Sequence, residues 1–82
     1  MKIYRVDGTI ERVDLGGQTV TLEQLQRAVG GYIEAVPGTR SRAYCNEEGR
    51  LRGLAFNRRA SLRFQQMLVG DVVELEAGDR QD

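Results

Sequence analysis

Apolar and polar residues alternate at both ends of the chain, and apolar residues recur at helical spacing in two stretches between. Lys2–Val6 and Thr9–Val13 are short β-prone runs around Asp7-Gly8. Asp-Gly between such runs predicts a two-residue hairpin with a type I′ turn, which needs positive φ at both positions. Asp14 to Gln18 then reads as a flexible connection. Thr21 opens a helix as N-cap, and Gln24 completes a capping box three residues on. Leu22, Leu25 and Val29, with Ala28 beside them, share one face of that helix. Gly30 suits the position just past its end.

Tyr32 to Val36 predicts a strand, Pro37-Gly38-Thr39 a turn, and Arg40 to Asn46 the returning strand. Along the latter, Ala43 and Cys45 point one way and Arg42, Tyr44 and Asn46 the other, which makes Tyr32 and Tyr44 neighbours across the hairpin. Asn46-Glu47-Glu48-Gly49 is a second turn, and Arg50-Leu51-Arg52 resumes as a short extended piece. Asn57 is a good N-cap. Ala60, Phe64, Met67 and Leu68 follow at helical spacing, with Phe56 one turn earlier, so a second helix is expected over 58–68 with Gly70 ending it. Asp71 to Glu76 reads as the last strand, with Val73 and Leu75 inward.

The order is β-β-α-β-β-α-β. It implies an α+β fold with a single small antiparallel-rich sheet and two helices packed on one face. Residues 1–77 form the one domain and 78–82 a polar, frayed C-terminal tail. The expected core comprises Ile3, Ile10, Leu22, Leu25, Val29, Ile33, Ala43, Cys45, Phe64, Leu68, Val73 and Leu75. Strand order is left open by the pattern.

Composition narrows the chemistry. Eighty-two residues bury only about 60–65% of the surface the unfolded chain exposes, so the core is thin and little chain is left to support a cleft. The absence of histidine excludes a His-based metal site or general base. A single cysteine, Cys45, makes neither a zinc cluster nor an internal disulfide, and fits a reducing, cytoplasmic setting. On its strand Cys45 reads as a small hydrophobe, since no base accompanies it. Glu47 and Glu48 are adjacent in a turn and do not converge on one point, so they carry no acid–base reading. No apolar run approaches a membrane span. No cofactor, no metal and no enzyme activity are expected.

Charge is balanced overall but not along the chain. Residues 40–63 hold seven arginines against Glu47 and Glu48, a net of +5, while residues 64–82 net −4. Arginine presents a planar fork to carboxylate or phosphate, which lysine does not. Arg40, Arg42, Arg50, Arg52, Asn57, Arg58 and Arg59 are therefore the candidate partner- or anion-binding residues. Arg58 and Arg59 stand in the first turn of a helix, where basic residues oppose the dipole.

Val29-Gly-Gly-Tyr-Ile-Glu-Ala-Val, Cys45-Asn-Glu-Glu-Gly-Arg-Leu-Arg-Gly-Leu, Asn57-Arg-Arg-Ala and Val69-Gly-Asp-Val-Val, in this order and spacing, resemble the DUF3846 domain across about residues 20–76. Two departures stand out. Ala55-Phe56 replaces the Pro-Pro usual in that family before Asn-Arg-Arg, and the stretch from Ser61 to Val69 is compact. The resemblance implies a phage or mobile-element context and transfers no functional residue.

Three functions follow as expectations. The first is a non-enzymatic interaction protein, such as a host-defence inhibitor of the anti-CRISPR kind, docking on a host protein or nucleoprotein complex. The second is a binder of a small anionic ligand or nucleotide, using backbone near Gly30-Gly31, the helix start at Asn57, and Arg58-Arg59. The third, direct nucleic-acid binding, is disfavoured by a domain pI near neutrality and by the acidic C-terminal third. An exposed sheet edge would also permit a homodimer.

Overall fold

The computed structural model of the chain describes residues 1–81. In chain order the elements are β1 (Lys2–Tyr4), β2 (Ile10–Arg12), α1 (Leu22–Val29), β3 (Ile33–Ala35), β4 (Ala43–Asn46), α2 (Arg58–Phe64) and β5 (Val72–Glu74). The five strands form one sheet in the spatial order β2-β1-β5-β4-β3, with each neighbouring pair antiparallel. The α+β class, the single sheet and the element order agree with the pattern of the sequence. The last strand to be made, β5, lies in the middle and joins the N-terminal hairpin to β3 and β4.

One feature of the expected architecture is corrected: the helices lie on opposite faces of the sheet. Strand pairing aligns Ile3, Val73 and Tyr44 in one row. That row packs with Leu25, Ala28 and Val29 of α1, together with Met1, Val20 and Leu75. The alternate residues Tyr4, Val72 and Ala43 face the other way and pack with Ala60 of α2, Val36 and Leu68. Consecutive apolar pairs, Ile3-Tyr4 and Val72-Val73, feed both faces at once, as a strand covered on both sides requires.

Helix α1 begins as expected. The Thr21 N–H donates to Oε1 of Gln24 at 2.8 Å, and the Gln24 N–H returns to Oγ1 of Thr21 at 3.1 Å. It ends at Gly30, whose φ of 76° lets its N–H close on the carbonyl of Gln26. Gly31 is required for another reason. A Cβ there would stand 2.9 Å from Nδ2 of Asn46, and that nitrogen already donates to the carbonyl of Val29.

Several local expectations give way to tertiary contacts. The β1–β2 turn is not type I′, because only Gly8 has positive φ. The Gly8 N–H bonds the carbonyl of Arg5, and the Arg5 N–H bonds that of Thr9, a type I turn followed by a glycine bulge. Residues 40–42 do not extend β4: Arg40 and Ser41 have positive φ, and the Arg42 N–H turns back to the carbonyl of Thr39. Arg50 to Arg52 is likewise turn, with the Arg52 N–H bonded to the carbonyl of Glu48. Tyr32 is exposed and Tyr44 buried opposite Ala35, so the two tyrosines are not neighbours.

Helix α2 stops at Phe64 rather than Leu68. Gln65 takes a left-handed conformation, φ 54°, and Oγ of Ser61 both accepts from the N–H of Leu68 and donates to its carbonyl. That reversal inserts Leu68 into the core and leaves Met67 exposed. Ile10 and Leu22 are exposed as well, contrary to expectation, while Met1, Tyr4, Val20, Val36, Tyr44 and Val72 are buried. Ile33, Cys45 and Phe64 are partly buried against the two clusters.

The C-terminal residues are not frayed as far as Gln81. The Val20 N–H bonds the carbonyl of Arg80 at 2.7 Å, and Nε2 of Gln81 donates to the hydroxyl of Tyr44 at 2.6 Å. Asp82, the end of the expected tail, lies outside the described residues.

Candidate functional site

The seven residues singled out for charge and position divide into four groups. Asn57 belongs wholly to the interior. Its Oδ1 accepts from the Ala60 N–H at 3.0 Å, and its Nδ2 donates to the carbonyls of Tyr4 and Gly70, both at 2.8 Å. It is 0% exposed. Asn57 is thus corrected from a binding residue to a cap that locks α2 against β1.

Arg42, Arg50 and Arg52 serve as struts. Arg42 donates to the carbonyls of Asp79 and Glu76, Arg50 to that of Met67 and Arg52 to that of Gly30. Each ties its own turn to a main-chain carbonyl distant in sequence. Arg52 reaches the end of α1, far from the groove that Arg58 and Arg59 line. Arg40 is exposed in the turn before β4, held at φ 54°. The donors imagined for a small anion are accordingly not brought together: Gly31 packs on Asn46 and Arg52, Asn57 is consumed internally, and Arg58-Arg59 stand elsewhere.

Arg58 and Arg59 remain. Both are exposed, and neither side chain has a hydrogen bond or ion pair among the described residues. They line an open groove of about 590 Å³ with Tyr4, Ile10, Leu62 and Arg63. The helix builds most of this. Leu62 follows Arg58 by four residues and Arg59 by three, so all three sit on one face of α2, and Arg63 lies one turn beyond Arg59. Strand pairing of Tyr4 with Ile10 places the Ile10 side chain on the same side of the sheet as α2. Leu62 is 69% exposed and Ile10 41%.

Two of the lining side chains, Tyr4 and Arg63, converge on Glu74, which lines a separate groove with Phe64. The Tyr4 hydroxyl donates to Oε1 of Glu74 at 2.6 Å, and Nη2 of Arg63 bonds the other oxygen, Oε2, at 2.7 Å. The Tyr4 ring meets Phe64 edge-on, with centroids 5.9 Å apart, and the Arg63 guanidinium lies over the Phe64 ring at 5.2 Å. Burial first, then the Glu74 carboxylate, holds the Tyr4 hydroxyl above its ordinary range. The hydrogen bond to Glu74 likewise raises the Arg63 guanidinium. Arg63 is therefore neutralised in place, while Arg58 and Arg59 are not.

A second groove, about 470 Å³, runs past Glu34, Cys45, Arg50, Leu51 and Met67. Burial, then the Glu34 carboxylate, pushes the Cys45 thiol up, away from the thiolate that nucleophilic chemistry needs. The sequence reading passed over Leu62 and placed Ile10 in the core. Leu62 could have been found from its spacing to Arg58 and Arg59; Ile10 could not, because its exposure depends on how little of β2 a seven-residue helix covers.

With this geometry in place, comparison with known proteins gives one finding. The whole chain, residues 1–82, matches the family described as Domain of unknown function (DUF3846). The chain belongs to that family. The match extends on both sides of the central motifs in residues 20–76. No curated protein and no solved structure matches the chain.

The DUF3846 motifs prove to touch one another. Asn46 holds the carbonyl of Val29, Arg52 that of Gly30, and Asn57 that of Gly70. A Cβ on Gly49 would meet the Val69 side chain at 2.9 Å. These residues specify the fold, whereas Arg58 and Arg59 in the same motifs have no such duty. No helix among the described residues is long and apolar enough to cross a membrane.

Proposed function

We propose that this protein is a non-enzymatic docking module of phage or mobile-element origin, a host-defence inhibitor of the anti-CRISPR kind, working in the host cytoplasm by binding a larger protein or nucleoprotein complex. One observation carries the reading: two arginines with no ion pair among the described residues share a helix face with exposed Leu62, beside exposed Ile10. Arginine is among the residues enriched at the energetic centres of protein interfaces, and exposed apolar side chains beside it supply area to bury. The groove is open, and catalysis would need a water-excluding cleft held by a supporting shell. The phage setting rests on family membership alone.

The test is co-purification of the tagged protein with CRISPR effector complexes from cells that carry them, together with phage plating on those cells. A stable complex and restored plating are the expected result. Unchanged interference across the systems tried, with no complex recovered, would sink the proposal.

A further inference from the structure

We infer that the α2 face binds an acidic segment of a protein partner that sets an apolar side chain between carboxylates. The inference rests on the docking reading above and specifies its chemistry.

Charge decides the sign of the partner. Arg58 and Arg59 lack any internal counter-charge among the described residues, whereas the neighbouring Arg63 is satisfied by Glu74 and Arg5 by Glu11 and Asp71. Two free guanidinium forks call for two carboxylates or one phosphorylated group. The apolar lane decides between these. Leu62 lies one turn beyond the two arginines on the same helix face, and Ile10 lines the same groove. An acidic peptide carrying a leucine or similar side chain covers both features at once.

Nucleic acid fits less well. Single strands are held by exposed aromatic platforms and by many backbone contacts. Tyr4, the aromatic side chain that lines this groove, is buried, and the Phe64 ring beside it is occupied by Tyr4 and Arg63. Two arginines without a partner among the described residues would neutralise few phosphates.

The experiment titrates three labelled probes into the isotopically labelled protein: a short peptide alternating Glu and Leu, an all-Glu peptide of equal charge, and a single-stranded DNA oligonucleotide. Anisotropy gives affinity, and amide shifts give location. The Glu-Leu peptide is expected to bind about tenfold more tightly than either other probe, a difference of about 1.4 kcal/mol. Shifts should centre on Ile10 and residues 58–63. Arg58→Glu with Arg59→Glu, and separately Leu62→Ser, should each weaken binding by about tenfold or more; both positions are exposed, so the fold should persist. Tighter binding of DNA, shifts centred elsewhere, indifference to Leu62→Ser, or no binding of the Glu-Leu peptide would each overturn the inference. A defence complex that co-purifies yet ignores these substitutions would leave the docking reading standing and remove only this face from it.

Discussion

The side-chain amide of Asn57 donates to the main-chain carbonyl of Tyr4 at 2.8 Å, across 53 positions of sequence. The same nitrogen reaches the carbonyl of Gly70, while the amide oxygen caps α2. A single buried side chain thus fixes the helix that displays Arg58 and Arg59 to both of the central strands' approaches.

Replacing that side chain should be costly. Asn57→Ala removes the cap and strands two buried carbonyls, so a loss of about 3 kcal/mol is expected from denaturant unfolding. Asn57→Asp keeps the cap acceptor but aims a carboxylate at two carbonyl oxygens. Its penalty should shrink as pH falls and the carboxyl becomes a donor. A variant as stable as the parent at neutral pH would show that Asn57 is not a keystone.

Leu22 and Leu25 look alike in the sequence of α1, yet one is 57% exposed and the other 2%. Leu25→Ala should cost about 2–4 kcal/mol, a large share of the stability of so small a domain. Leu22→Ala should fall within about 0.5 kcal/mol of the parent. Equal melting of the two variants would contradict the packing of α1.

Tyr4→Phe keeps the ring contact with Phe64 and removes only the hydroxyl given to Glu74. At neutral pH the loss should be about 1.5 kcal/mol, as for a hydrogen bond to a charged group. Because the folded state raises the Tyr4 hydroxyl, its contribution is intact below the ordinary tyrosine value of about 10 and fades as pH rises through the folded value. The gap between parent and variant should therefore narrow in strong alkali. A gap independent of pH would place the hydroxyl outside the linkage.

Cys45 should alkylate with iodoacetamide more slowly than free cysteine at neutral pH, since burial and Glu34 disfavour its thiolate. Unfolding in denaturant should abolish the difference. A folded protein that reacts as fast as free cysteine would mean the thiol is open and ionised.

Much of this fold was legible before any coordinates, and the reasons are local. The Thr21–Gln24 capping box, the end of α1 at Gly30 and the alternation along β4 depend on residues within a few positions of one another, whose geometry a short peptide already prefers. The seven elements and their order followed from such signals. The exposed arginines of the candidate groove were visible too, because charge is read directly from composition.

What the chain alone left undecided depends on partners far away in sequence. Arg50 to Arg52 has the makings of an extended piece, but the Glu48 carbonyl and the end of α1 draw it into a turn. Leu68 belongs to the expected core as part of a continuous helix, yet what buries it is a reversal of the chain held by Ser61. The sequence by itself determined the strands, the helices, their N-caps and the apolar positions available. Only the tertiary structure decided that β5 enters the centre of the sheet and that the helices take opposite faces. It also decided that Asn57 is buried while its two neighbours in sequence are not. Local propensity acts through a few adjacent dihedrals, whereas strand order and burial follow from which distant apolar surfaces leave the least area exposed to water.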